Sequence, residues 1–332
     1  MTKKATRNDV AKLAGVSTAV VSYVVNGSNH VSEEKRQRVL DAIEQLHYKP
    51  NAHAQSLRSG KSRQIALIGD SLEDDLFHRI SDKLERMEYY PVLFYSIMKD
   101  SFIDQIISMQ FDAVFLTSNR FTTSQLNRIA ESGTPIVLYR SREYGALSDR
   151  ISVVVPDFFD SIRKCVDYLV LRGHRKFGYI PPLKYRTSGM EDNDYRTRAF
   201  REALQAHDIA PDSAYYSVHT ASIEDILGDV FSMVTSHGTE GKPDALIVSE
   251  DQTAALIIRY LEKLGLSIPE DIAVVGWGNT PISELIRPRL TTVSYDVNAY
   301  CESVVNELLA LIEGGTSSEK LMPVRLQIRE ST

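Results

Sequence analysis

The stretch from Thr6 to Asn26, TRNDVAKLAGVSTAVVSYVVN, constrains the fold of this chain more than any other. Placed on a helix at about 100° per residue, Val20, Val21, Val24 and Val25 fill one arc, and Thr18, Ala19, Ser22, Tyr23 and Asn26 fill the opposite one. Upstream, Val10, Leu13 and Ala14 recur at i, i+3 and i+4, so a first short helix has its own apolar stripe, and Thr6 with Asp9 has the spacing of a capping box. Gly15 ends that helix where a non-helical φ is cheap, and Ser17 stands where its hydroxyl caps the next one. The order is helix, tight glycine turn, helix. If the two stripes pack on each other, the small polar face of the second helix is left outward. Such a face suits the floor of a DNA major groove, where Thr and Ala touch thymine methyls and Asn or Tyr reaches base edges or phosphate. An αα-hairpin in an ordinary helical core carries the same local signature, so the neighbours decide.

A third helix follows the turn-rich run Asn26-Gly27-Ser28-Asn29, with Ser32 as its cap, Glu33 and Glu34 in its first turn, and Val39, Ile43 and Leu46 as its core face. It closes a three-helix unit near Tyr48, and Pro50 stops continuation. Residues 1–63 carry eleven Lys and Arg against five Asp and Glu, a net +6, while the remainder carries −12 and the whole chain −6. A basic head on an acidic body is the electrostatic footprint of a polyanion-binding module joined to a domain that does not bind the polyanion.

From Asp9 to Gly60 the chain resembles, without a gap, the headpiece and hinge of the LacI/GalR family of bacterial transcriptional regulators. The residues that carry the resemblance are Val16, Ser17, Val21, Ser22, Val24 and Asn26, then Tyr48-x-Pro50-Asn51 and Ala54-x-x-Leu57. The resemblance implies a helix-turn-helix headpiece over 1–49 and a hinge over 50–63. On the headpiece Thr18, Ala19 and Tyr23 are expected to read bases, Ser17, Asn26, His30 and Ser32 to position it on phosphates, and Thr6 and Ser22 to lie at the DNA. Residues 51–63, NAHAQSLRSGKSR, hold only Ala54 and Leu57 as an apolar pair, too little to bury themselves. The resemblance implies that two copies form paired hinge helices in the minor groove, with Asn51 and Ala54 at the DNA and Leu57 wedged between base pairs. A flexible tether is the alternative.

From Gln64 onward, short apolar runs alternate with helical patterns: QIALIGD, YYPVLFYS, DAVFLTS, PIVLYRS and ISVVVP, then FGYI, PDALIVS and DIAVVGW. Alternation of this kind argues for parallel sheets with crossover helices, and two such series in tandem make a cleft between lobes. LRGHRKFGYI, Arg196-x-x-Ala199-Phe200, SEDQTAALIIRYLEKLG and PRLTTV extend the family resemblance over nearly the whole chain. It implies a two-lobed periplasmic-binding-protein-like effector and dimerisation domain over 64–332, crossed three times. The first lobe is expected at about 64–157 and 296–322, and the second at about 158–292 and 323–332.

The same resemblance places a small-molecule effector in the cleft, a sugar, sugar phosphate, nucleoside or other metabolite. Carried over singly, Leu76 and Phe77 match a first-lobe apolar wall, Arg196 a ligand-clasping arginine, and Arg140, Glu250 and Trp277 strand ends. Two positions depart from sugar-binding members: Gly278 and Arg140 stand where those members carry an aspartate. Guanidinium forks suit carboxylate and phosphate, so an anionic ligand stands beside a plain sugar or nucleoside, with a pocket that binds nothing as the third alternative. For each arginine an ion pair, such as Arg196 with Asp192 or Glu191, is the alternative, and Phe77 and Trp277 read equally as core.

The eight histidines show no metal spacing, and the chain has no G-x-S-x-G elbow, no Walker loop and no third glycine after Gly276-Trp277-Gly278. No enzyme, metal or cofactor is expected. A solute-binding protein without a DNA role would need an export signal and no basic head, the reverse of this pattern. No run of eighteen apolar residues occurs, and Cys165 and Cys301 lie in apolar helical patterns as buried thiols, so a cytoplasmic protein without membrane contact is expected. Two chains pairing through their bodies would bring two heads to neighbouring major grooves of a pseudo-palindromic operator.

Overall fold

The computed structural model describes residues 5–25, 31–48, 61–70, 75–97, 99–182, 194–211, 215–217, 222–235 and 241–332. They form two compact units, 1–63 and 64–332. In the first, helices Arg7–Ala14, Thr18–Val25 and Glu33–Gln45 each pack on the other two. The capping box is formed: Thr6 N–H donates to Asp9 Oδ2 at 2.8 Å and Asp9 N–H to Thr6 Oγ1 at 3.4 Å. Gly15 sits at φ 63°, where an L side chain is strained. Ser17 Oγ accepts the Val20 N–H at 3.3 Å, whereas Ser32 occupies its N-cap position without a side-chain capping bond.

The core of this unit is Val10, Ala11, Ala14, Val21, Val24, Val39, Ala42 and Tyr48. Leu13, expected in the stripe, is 47% exposed, and Ala11 takes its place. A helix wedged between two others buries an arc centred between its neighbours. Here that centre lies near Ala14, with Val10 and Ala11 on its flanks and Leu13 about 100° away, turned outward.

The second unit has two six-stranded sheets. β1 (Gln64–Gly69), β2 (Tyr90–Tyr95), β3 (Ala113–Leu116), β4 (Ile136–Leu138) and β5 (Ile151–Pro156) belong to the first. β6 (Phe177–Ile180), β7 (Tyr215–Tyr216), β8 (Ala245–Val248), β9 (Ala273–Trp277) and β10 (Thr291–Tyr295) belong to the second. β11 (Glu319–Met322) returns to the first and β12 (Val324–Gln327) to the second. The orders are β11-β5-β4-β3-β1-β2 and β12-β10-β9-β8-β6-β7, and every pairing is parallel except β10 with β12. These are the sheets that the alternating pattern anticipates, and the near-continuous Val, Ile and Leu of β1, β3, β5 and β8 reflects burial on both faces.

Helices Asp75–Arg86 and Val297–Ile312 cover one face of the first sheet, and Asp100–Ser108 and Thr123–Glu131 the other. Phe158–Leu171 and Tyr195–Gln205 cover one face of the second, and Ile223–Thr235 and Asp251–Lys263 the other. The chain therefore passes between lobes after β5, after β10 and after β11. Cys165 and Cys301 are buried free thiols, and burial pushes the Cys165 thiol up to about 12, where it is unreactive. No described helix is long and apolar enough to cross a membrane.

Candidate nucleic-acid interface and ligand cleft

Helix Thr18–Val25 buries Val21, Ser22 and Val24 and turns Thr18, Ala19 and Tyr23 to solvent, with Ser17 exposed just before it. The exposed side chains are small or amphipathic and carry no charge, so a groove floor can approach the helix closely. Ser22 is corrected: it is 6% exposed and belongs to the interior. The helix packs against both of its neighbours, so the buried arc is wider than one valine stripe and takes in the small residue at its margin. Thr6 is exposed, but its hydroxyl is committed to Asp9, donating to Oδ2 at 2.6 Å. Ser32 is exposed with its hydroxyl outside the capping network. Asn26, His30, Asn51, Ala54 and Leu57, with nearly all of the hinge, lie outside the described residues.

In the second unit, loops that follow the strands of the two lobes meet one another. Tyr195 N–H donates to the Ser141 carbonyl at 3.0 Å, Arg142 and Asp194 form an isolated antiparallel bridge, and Arg198 pairs with Glu143 at 3.4 Å. Arg196 is 8% exposed and lies 3.4 Å from Asp194, itself 1% exposed, with its guanidinium 5.2 Å above the Phe158 ring. Burial works against the Arg196 charge, but the Asp194 carboxylate and the Tyr179 and Tyr139 phenols outweigh it and raise its pKa above the ordinary arginine value. The ion partner is thus Asp194, two residues away.

Glu250 follows β8, and burial raises its pKa above the usual carboxylate range against the opposing pull of Arg196 and of Thr253, whose hydroxyl donates at 3.4 Å. Trp277 donates from Nε1 to Ser161 Oγ at 3.4 Å, and its ring lies 5.8 Å from Phe158 and 5.7 Å from Tyr295. Arg140, after β4, donates to Glu319 and lies 5.6 Å over the Tyr195 ring. Gly278, where sugar-binding members carry an aspartate, has φ 122°, a conformation that strains any side chain. The nearby carboxylate of Asp251 holds that loop instead, accepting from Thr280 N–H at 2.7 Å and Thr292 Oγ1 at 2.5 Å.

Leu76 and Phe77 do not form an open wall. Phe77 is fully enclosed against Phe115, and a Cβ on Gly69 would stand 2.6 Å from its ring, so the glycine at the end of β1 is the recess that the ring fills. Leu76 is buried in the same cluster. Sequence reasoning passed over Arg120, Arg142 and Tyr144; the available signal was the run Arg140-Ser141-Arg142-Glu143-Tyr144 directly after a strand. Among the described residues no group of His, Cys, Asp and Glu could hold a metal ion.

Two families match the chain: bacterial regulatory proteins, lacI family, over residues 6–51, and the periplasmic binding protein-like domain over residues 166–332. Among curated relatives, the NTD biosynthesis operon regulator NtdR of Bacillus subtilis (strain 168) is 29% identical over 338 residues, covering 98% of this chain and 99% of that one. Catabolite control protein A of Priestia megaterium is 27% identical over 342 residues, covering 98% of each. Among solved structures, the lac repressor dimer bound to operator and the anti-inducer ONPF superposes with a TM-score of 0.83 at 24% identity, covering 99% of each chain.

Proposed function

This chain belongs to the LacI family of bacterial regulatory proteins and is a DNA-binding transcriptional regulator, and from that premise we propose that it is an effector-responsive repressor of a metabolic operon, working in the cytoplasm as a homodimer. The observation that carries the reading is a solvent-facing Thr18, Ala19 and Tyr23 on the second helix of a basic three-helix unit, in one chain with a two-lobed body. In this reading Thr18, Ala19 and Tyr23 read bases in the major groove, and Ser17, Asn26, His30 and Ser32 fix the head on phosphates. Residues 50–63 act as the hinge, with Leu57 as the minor-groove wedge.

Pairing is supported by the edge of the first sheet. β2 has a partner on one side only, and Tyr90, Leu93 and Tyr95 on it, with Ile97 just beyond, are exposed. An exposed apolar edge strand is a template for pairing, and a second copy of the chain is one partner that would cover it. Two heads held by a two-fold axis imply a pseudo-palindromic operator. The effector binds between the lobes, with Arg196, Glu250, Arg140 and Trp277 around it, and changes the lobe arrangement that sets the spacing of the heads. The test is selection of duplexes from a random library by the purified full-length protein, at near-physiological salt with competitor DNA. An enriched palindrome with a defined centre is expected; enrichment of a single half-site would overturn the dimeric reading, and no enrichment, with or without metabolite extract, the specific one.

A further inference from the structure

Among the described residues only four buried side-chain polar atoms lack a hydrogen-bond partner, and three of them, Arg120 Nε, Arg140 Nε and Tyr144 Oη, stand on loops after β3 and β4 of the first lobe. They share one wall. Arg120 Nη1 is 3.8 Å from Asp70, Arg140 lies over Tyr195, and the Tyr144 hydroxyl feels Asp70, Arg142 and Tyr195. All three atoms carry a proton to donate, so the group that completes them is an acceptor with several oxygens.

Charge selects among acceptors. Arg120 is offset by Asp70 and Arg140 by Glu319, while Glu143 is engaged by Arg198. Arg142 is 8% exposed and its guanidinium donates to the carbonyls of Asn119 at 2.8 Å, Glu143 at 3.1 Å and Phe121 at 2.6 Å, with its face 4.0 Å over the Tyr144 ring. No carboxylate among the described residues pairs with it, so the wall keeps one buried positive charge beside three unfilled donors. A neutral sugar hydroxyl would fill a donor and leave that charge; an oxyanion answers both.

We propose that the effector carries an oxyanion, a phosphate or a carboxylate, received by the Nε–H edges of Arg120 and Arg140 and the Tyr144 hydroxyl beside Arg142. The inference rests on the reading of the cleft as the effector site. It also links occupancy to lobe contact, because Ser141 and Arg142, between two of the receiving residues, are bonded to Tyr195 and Asp194 of the other lobe.

The experiment titrates full-length protein with inorganic phosphate and, separately, acetate, each to millimolar concentration at constant ionic strength, following Trp277 fluorescence and thermal unfolding. A saturable response to at least one is expected, and the one that responds names the oxyanion. R120Q, R140Q and Y144F should each weaken it about tenfold, with Y144F, which removes a single oxygen, serving as the variant that keeps the wild-type melting temperature. No saturable response to either anion, or one that Y144F and R120Q leave unchanged, overturns the proposal. The same titration with neutral hexoses separates the two readings. Saturable binding of a neutral hexose unaffected by Y144F removes the oxyanion and keeps the effector site. Operator binding that no fraction of a cell extract alters removes the effector site itself.

Discussion

Tyr23 and Ser22 are neighbours with opposite fates, and the difference governs what their substitutions do. Tyr23 is exposed and supports nothing in the core, so Tyr23→Ala should leave the melting temperature nearly unchanged and weaken specific operator binding by about 1–3 kcal/mol, checked by electrophoretic mobility shift at fixed salt. Ser22→Leu instead forces three extra carbons into a packed interior and should destabilise the head by about 1–3 kcal/mol. In the cleft, Arg196→Ala strands Asp194 at 1% exposure without its cation; the expected loss is about 3–5 kcal/mol of body stability in addition to any loss of effector response. Glu250 has the opposite character. Its folded pKa lies above the ordinary 4.5, so the native state holds its proton more tightly, and the stability this contributes is complete below 4.5 and lost as pH rises through the folded value. Glu250→Gln should therefore raise the melting temperature at neutral pH, and the advantage should vanish below pH 4.5, in unfolding scans against pH.

At the scale of elements, the β2 edge and the meeting of the 140–144 loop with helix Tyr195–Gln205 carry the consequences. Tyr95→Glu places a charge on the exposed edge without touching the core of either lobe. Sedimentation should show monomers, and operator affinity should fall by at least about tenfold, since a monomer presents one head to a two-headed site. A variant that stays dimeric would move the interface elsewhere. The loop contact is mostly backbone, Tyr195 N–H to Ser141, so it depends on where the loop sits rather than on the residue at 141. The exposed ion pair of Arg198 with Glu143 adds little to it.

The whole molecule joins its lobes through three crossings packed by aromatic rings. Trp277 contacts Phe158 and Tyr295, while Tyr139 and Tyr300 continue the cluster into the first lobe. Trp277 is the chain's one tryptophan, so its emission reports directly on this junction. An effector that changes operator affinity by some factor must have its own affinity changed by operator by the same factor. Titrating effector with and without operator duplex, by Trp277 emission, should return that equality.

The primary sequence determined the order and type of the elements, because periodicity, caps and strand composition are local: the capping box of Thr6 with Asp9, the αL Gly15 and the Val-rich strands all form where the pattern puts them. It also carried the family, since the head motif is contiguous. What only the tertiary structure decided is which member of a face is inside and which distant groups meet. Leu13 is exposed and Ser22 buried, against the single-helix pattern, because packing on two other helices sets where the buried arc of each helix is centred and how wide it is, which no single-helix periodicity contains. Phe77 turns from wall to core because Gly69, eight positions earlier, leaves the recess for it. Arg120, Arg140, Arg142 and Tyr144, the residues of the proposed oxyanion site, acquire their neighbours only through folding. Which of their charges are cancelled depends on Asp70 and Glu319, brought from two separate segments of the first sheet.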